Sequence, residues 1–216
     1  MTIALIDETK PLEKSLCRKL IDDSAFICEY LERGLKERKI KYGCSRLNFN
    51  CIDGANVRDD LWKCEGLVSI EIPFDSKYYL MNRNDKTTYI CYLLECGFKK
   101  YGTICNADIS PVIELLAELK AIDYYVDFYA LKPCRRGEYT AKLYCVQDME
   151  HSNFYVELYH KRKLINKIPF YKDFPDRLGY FFALGRFEWI DDDTVCLYSH
   201  PYYPNGNCDK KKLKVK

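Results

Sequence analysis

Between Pro11 and Lys41 the residues Leu12, Leu16, Leu20, Ile27, Leu31 and Leu35 recur at near-helical spacing, and charges fill the other side. That pattern predicts an amphipathic helix. Thr9 is placed to cap its start, Pro11 suits the first turn, and Gly43 is a stop signal. Asp22-Asp23-Ser24 compete for backbone hydrogen bonds and are expected to divide the helix in two. From Arg46 the pattern turns to short strands: Arg46–Ile52 with Leu47, Phe49 and Cys51 on one side, then Leu67–Ile72 and Lys77–Met81 either side of Pro73-Phe74-Asp75. Asn84 or Asp85 caps a second helix of about fifteen residues, with Ile90, Leu93, Leu94 and Phe98 on its apolar stripe. Ser110-Pro111 opens a third, which buries Val112, Leu115, Leu116 and Leu119.

After Ile122 the period changes to two. In Asp123–Leu131, Tyr124, Val126, Phe128 and Ala130 alternate with Tyr125, Asp127, Tyr129 and Leu131. In Glu138–Val146, Tyr139, Ala141, Leu143 and Cys145 alternate with Thr140, Lys142, Tyr144 and Val146. In Asn153–His160, Phe154, Val156, Leu158 and His160 alternate with Tyr155, Glu157 and Tyr159. Strict alternation of this kind marks an antiparallel sheet with one face on the core and the other partly wet. Arg186–Ile190 and Thr194–Ser199, joined by Asp191-Asp192-Asp193, read as a terminal hairpin. The expected class is α+β. Amphipathic helices and short strands fill residues 1–122, and an antiparallel β-meander covered by helices fills residues 123–216, as two regions or one integrated domain. Ile72-Pro73-Phe74 and Ile168-Pro169-Phe170, each followed by an acidic residue and an aromatic run, also admit an internal duplication in which Asp176–Leu184 is a short helix.

Length and composition narrow the function classes. The 216 residues suffice for one large or two small domains, and 48% apolar content is that of a globular chain. A net charge of +2 argues against a dedicated nucleic-acid binder, and no apolar stretch approaches the length of a membrane span. The N-terminus has no basic region ahead of its apolar run, so a cytoplasmic chain with reduced thiols is expected. None of the twelve cysteines forms a C-x-x-C pair, and several stand where a small apolar residue would serve.

Chemical signatures are missing. His151, His160 and His200 have no metal-ligand spacing, although His200 and Cys208 bracket a Pro/Gly/Asn loop. There is no G-x-S-x-G elbow and no phosphate-binding glycine pattern, and the E-x-K at Glu118-Leu119-Lys120 lies in a predicted helix. No catalytic residue, metal or cofactor is therefore assigned. Of the basic clusters, Lys36–Lys41, Arg135-Arg136 and Lys161-Arg162-Lys163 suit solvated loops, and Lys210–Lys216, with five lysines in seven residues, suits a frayed tail.

Tyrosine is the distinctive feature. Twelve of nineteen follow residue 122, and Tyr125, Tyr129, Tyr144, Tyr155 and Tyr159 fall opposite the main core stripe. Tyrosine offers large contact area at low rotamer cost and a polar tip, which suits an interface unless a second layer covers it. Beside it, Asp191, Asp192 and Asp193 with Glu188 form an acidic turn that would steer a basic partner. The hairpin Phe187-Glu188-Trp189-Ile190-Asp191-Asp192-Asp193-Thr194-Val195-Cys196-Leu197, behind an aromatic α+β body, resembles hairpins of bacterial immunity proteins of polymorphic or contact-dependent toxin systems. That resemblance implies a non-catalytic cytosolic protein that occludes a toxin's active site with a charged and aromatic surface. Unlike many immunity proteins against nucleases, this chain is not strongly acidic. The leading expectation is a protein-binding module with those tyrosines and acids as its contact residues. A small enzyme or RNA-processing factor with a dispersed site, and a subunit dimerising through the sheet, are the alternatives.

Overall fold

The structure, a computed structural model, describes residues 1–9, 14–173, 175, 184–199 and 210–215, with side chains in the first helix from residue 18. The chain is α+β and folds as two compact units, Met1–Tyr124 and Tyr125–Lys216.

The first unit is built on four strands: β1 (Thr2–Asp7), β2 (Arg46–Asp53), β3 (Leu61–Cys64) and β4 (Leu67–Phe74), in sheet order β1-β2-β4-β3. β1, β2 and β4 run parallel, and β3 closes a hairpin on β4. Alternation sends Ile3, Leu5, Leu47, Phe49, Cys51, Val68, Ile70 and Ile72 to a buried inner face. Three helices, α1 (Lys14–Glu37), α2 (Arg83–Cys105) and α3 (Ser110–Ala121), supply the rest of that core. Leu20, Ile27, Leu31 and Leu35 of α1, Ile90, Leu93, Leu94 and Phe98 of α2, and Val112, Leu115, Leu116 and Leu119 of α3 are all buried, as their spacing predicts. The Phe98 ring meets Phe49 of β2 edge-on at 5.1 Å between centroids. Gly97 makes that approach possible, because a Cβ there would collide with the Phe49 ring.

Several local expectations change. α1 runs unbroken through Asp22-Asp23-Ser24: Asp23 is occupied by the Tyr78 hydroxyl at 2.7 Å and Lys86 Nζ at 3.3 Å, and Ser24 Oγ donates to Ile21 O at 3.2 Å. The helix ends at Glu37, and beyond it Lys39 takes φ +59° and lets Ile40 N reach Leu35 O at 2.9 Å, so Gly43 is not the stop. Thr9 donates its N–H and hydroxyl to Asp7 Oδ1. Pro11, Leu12 and the side chain of Leu16 lie outside the described residues. Lys77–Met81 is not a strand; Ser76–Leu80 is a 3₁₀ turn whose start Asp75 caps through Lys77 N. α2 begins earlier than Asn84, capped by Asn82 Oδ1 on Asp85 N at 3.0 Å, and continues past Gly97 and Gly102 to Cys105.

The second unit is a sandwich of two antiparallel sheets. One has β5 (Val126–Tyr129), β7 (Tyr139–Gln147), β8 (Ser152–His160) and β9 (Lys163–Asp173) in sequence order, with β6 (Cys134–Arg136) also on β7. The other is β10 (Arg186–Trp189), β11 (Thr194–Tyr198) and β12 (Lys210–Lys214). Ala141, Leu143, Cys145, Phe154, Val156 and Leu158 bury one face of the meander against Phe187, Val195, Leu197 and Val215. That core face is closed by a second sheet rather than by the helices expected from the sequence, and no helix occurs among the described residues of this unit.

The strand expected over Asp123–Leu131 is shorter, because Asp123 and Tyr124 take left-handed φ values of +51° and +58°. β9 has no counterpart among the expected strands, since Pro169 and lysines interrupt its pattern, and its register against β8 shifts twice, at Ile165 and Phe170. Lys210–Lys214 is not a frayed tail: β12 pairs with β11 along its whole length. The duplication fails too. Ile72-Pro73-Phe74 ends a strand parallel to β2, whereas Ile168-Pro169-Phe170 lies inside antiparallel β9. Residues 176–183 of the expected short helix lie outside the described residues, as do His200 and Cys208.

Candidate partner-binding face

The side of the meander that faces away from the sandwich core carries the tyrosines. Register explains how they meet. Tyr129 pairs with Tyr144, Tyr144 with Tyr155, Lys142 with Glu157, and Glu157 with Lys167, so these side chains form a continuous patch over β5, β7, β8 and β9. Its hydroxyls and carboxylates are interlinked. Tyr159 and Tyr129 donate to Glu157 Oε2 at 2.8 and 3.1 Å, and their hydroxyls lie 3.3 Å apart. Tyr144 donates to Asp127 Oδ2 at 2.5 Å.

Two ammonium groups bind the patch from above. Lys142 Nζ stands 4.7 Å from the Tyr129 centroid and 4.3 Å from that of Tyr159. Lys167 Nζ stands 3.9 Å from the Tyr144 centroid and 5.0 Å from that of Tyr155, and 3.5 Å from Glu157 Oε1. Cation–π and charge-assisted contacts of this kind fix rotamers that would otherwise be lost on binding. Lys142 and Lys167 offset Asp127 and Glu157, so the patch has large aromatic area and no net charge.

Electrostatics keep the Tyr144 and Tyr159 phenols neutral. The Tyr159 hydroxyl titrates well above an ordinary tyrosine, first through its hydrogen bond with Tyr129, then through burial and the Glu157 carboxylate. Tyr144 is raised by burial and by its bond to Asp127. Such groups offer hydrogen bonds rather than proton transfer at neutral pH, which suits recognition better than general acid–base work.

The structure separates the other expected contact residues from this patch. Tyr125 precedes β5, 57% exposed, and shares none of these contacts. The acidic turn belongs to the second sheet, on the opposite side of the meander, and its charges are met locally. Asp191 Oδ1 accepts Asp193 N at 3.0 Å, which holds its carboxyl below the usual range; Asp192 bonds Arg136 Nε at 2.7 Å; Asp193 lies 3.3 Å from Lys214 Nζ; Glu188 lies 3.0 Å from Arg186. The turn is thus hairpin chemistry closed by neighbouring cations.

Alternation alone places Asp127, Lys142 and Glu157 on the tyrosine stripe, and these charges among the rings are the available signal for the network. Lys167 gives none, because the pattern of its strand is interrupted. His160 lies 3.1 Å from Glu138 and against the Tyr139 ring, in a surface cluster with Lys161. Among the described residues no three potential ligands cluster to hold a metal, and the ten described cysteines are free thiols. Burial pushes the Cys28 thiol up to about 12. No helix among the described residues is long and apolar enough to cross a membrane. No protein-family model, curated protein or solved structure matches the chain.

Proposed function

We propose that this protein binds a protein partner through the outer face of its meander, as a cytoplasmic immunity protein of the toxin-neutralising kind. The observation that carries the reading is the tyrosine patch itself. Tyr129, Tyr144, Tyr155 and Tyr159 are held by Lys142, Lys167, Asp127 and Glu157 before any partner arrives. A surface already ordered loses little side-chain freedom on association, and tyrosine is among the residues that dominate binding energy.

The charge arrangement shapes the proposal. With the patch neutral and the acidic turn internally paired, recognition rests on aromatic contact and hydroxyl hydrogen bonds, and steering by Asp191–Asp193 has a minor part. Binding RNA through the same face is disfavoured, because both lysines are engaged by rings and carboxylates. In a host that carries a toxin gene beside this one, deletion of this gene is expected to make the cell sensitive to that toxin, with protection restored by the wild-type chain. Protection that survives loss of the patch tyrosines, or a neighbouring toxin that kills regardless, would contradict the reading.

A further inference from the structure

The first unit has a polar cavity of its own. It occupies about 330 Å³ on the outer face of the sheet, between β2, β3 and β4, within the range of roughly 300–1,000 Å³ for ligand pockets. Strand register builds it: Trp62 pairs with Ser69 and Asn50 with Glu71, and alternation turns these four away from the buried Phe49, Val68 and Ile70 stripe. The segment between β2 and β3 brings Arg58 and Asp60 to the rim.

Three properties define what fits. First, Arg58 is committed to Glu71, through its backbone N at 2.9 Å, Nε at 2.6 Å and Nη2, so this pair is neutral. Lys100 Nζ, on Glu71 O at 3.1 Å and on Arg58 O, fastens the same segment to the strand. The lining charge left over is the Asp60 carboxylate. Second, Asn50 Oδ1 is shielded from solvent and has no donor. Third, the Trp62 side chain is 53% exposed and forms one wall. An anion would meet the unpaired Asp60 carboxylate here, with the Arg58 guanidinium already engaged by Glu71. A cation that carries N–H donors meets a negative charge, an unfilled acceptor and the ring most favourable for cation–π contact.

We propose that this cavity binds a small organic cation with N–H donors, an alkylammonium or guanidinium group seated against Trp62 and hydrogen-bonded to Asn50 Oδ1 and Asp60. The group has two sources, a free polyamine or the side chain of a lysine or arginine in a partner protein. Both can be tested in the full chain carrying Trp189→Phe, so that Trp62 is the remaining indole. Spermidine and an acetylated, amidated Gly-Lys-Gly peptide are titrated separately by fluorescence and calorimetry. Saturable binding of either supports the site, and the tighter ligand identifies the source. Asp60→Asn is expected to weaken binding about fivefold and Trp62→Ala about tenfold, with Trp62→Phe between wild type and alanine. Circular dichroism and Tm of each variant confirm an intact fold. The proposal is overturned if neither cation saturates by about 10 mM, if inorganic phosphate or methyl glucoside binds more tightly, or if Asp60→Asn leaves affinity unchanged.

Discussion

The Tyr159 hydroxyl donates to the Glu157 carboxylate at 2.8 Å, and Glu157 is only 6% exposed although it sits on the wetter face of the meander. One carboxylate therefore anchors two phenols and faces an ammonium group. Replacing it by Gln keeps the shape and removes the charge opposite Lys167. Glu157→Gln is expected to cost about 1–3 kcal/mol in urea unfolding, because a nearly buried charge-assisted network is left half-satisfied. A change below about 0.3 kcal/mol would show that the network is not formed in solution.

Alkaline pH tests the same chemistry from the other side. Tyr144 and Tyr159 are raised on the patch, and burial raises Tyr42 and Tyr101 to about 12 in the first unit. A group whose pKa is higher in the folded state stabilises the fold below its unfolded pKa, about 10 for tyrosine. That stability is lost as pH rises through the folded value. Tm should thus be flat with respect to these groups up to about pH 9.5 and fall steeply from about pH 10 to 12. Spectrophotometric titration should show these tyrosinates appearing only as unfolding begins. Free titration near pH 10 with Tm unchanged would contradict the assignment.

In the first unit, an added methyl at Gly97 of α2 would strike the Phe49 ring of β2. Gly97→Ala gains helix propensity but forces overpacking, so a net loss of about 1–3 kcal/mol is expected. Pairing it with Phe49→Leu should recover part of that loss, a coupling readable in a double-mutant cycle.

Deletion of Lys210–Lys216 separates a strand from a tail. β12 covers the edge of β11, and Val215 is 3% exposed in the sandwich core. Removing the segment should cost about 3 kcal/mol or more, or prevent cooperative folding. A solvated tail would leave Tm unchanged.

This last element shows where the sequence stops being legible. Elements with a single apolar period are readable: α1, α3, β7, β8 and the hairpin of β10 and β11 stand where the spacing of their residues places them. Lys210-Lys211-Lys212-Leu213-Lys214 is a strand whose outer positions are all charged, so its only apolar signals are Leu213 and the following Val215. β9 is obscured by Pro169 and by bulges that break its period. The 3₁₀ turn at Ser76–Leu80 shares tyrosines with strands and is decided by the Asp75 cap and by burial of Tyr78. At the candidate site the tyrosine stripe is visible from the period of two. Its charge balance is not, because Lys167 comes from β9 and the cations that pair the acidic turn, Arg136 and Lys214, come from strands with no apolar alternation. The cavity lined by Asn50 and Trp62 is invisible for a related reason: its residues are polar positions of strands whose apolar positions carry the signal.

The most direct test of the central claim is to compare the wild-type chain with the triple variant Tyr129→Ser, Tyr155→Ser, Tyr159→Ser against the partner captured from the native host. Affinity is measured by calorimetry at two salt concentrations after both proteins are shown to unfold cooperatively. The account predicts at least a hundredfold loss of affinity in the variant, about 2.7 kcal/mol, with little salt dependence in the wild type. Wild-type affinity in a folded variant would contradict it, and so would loss of cooperative folding, which would make these tyrosines part of the core.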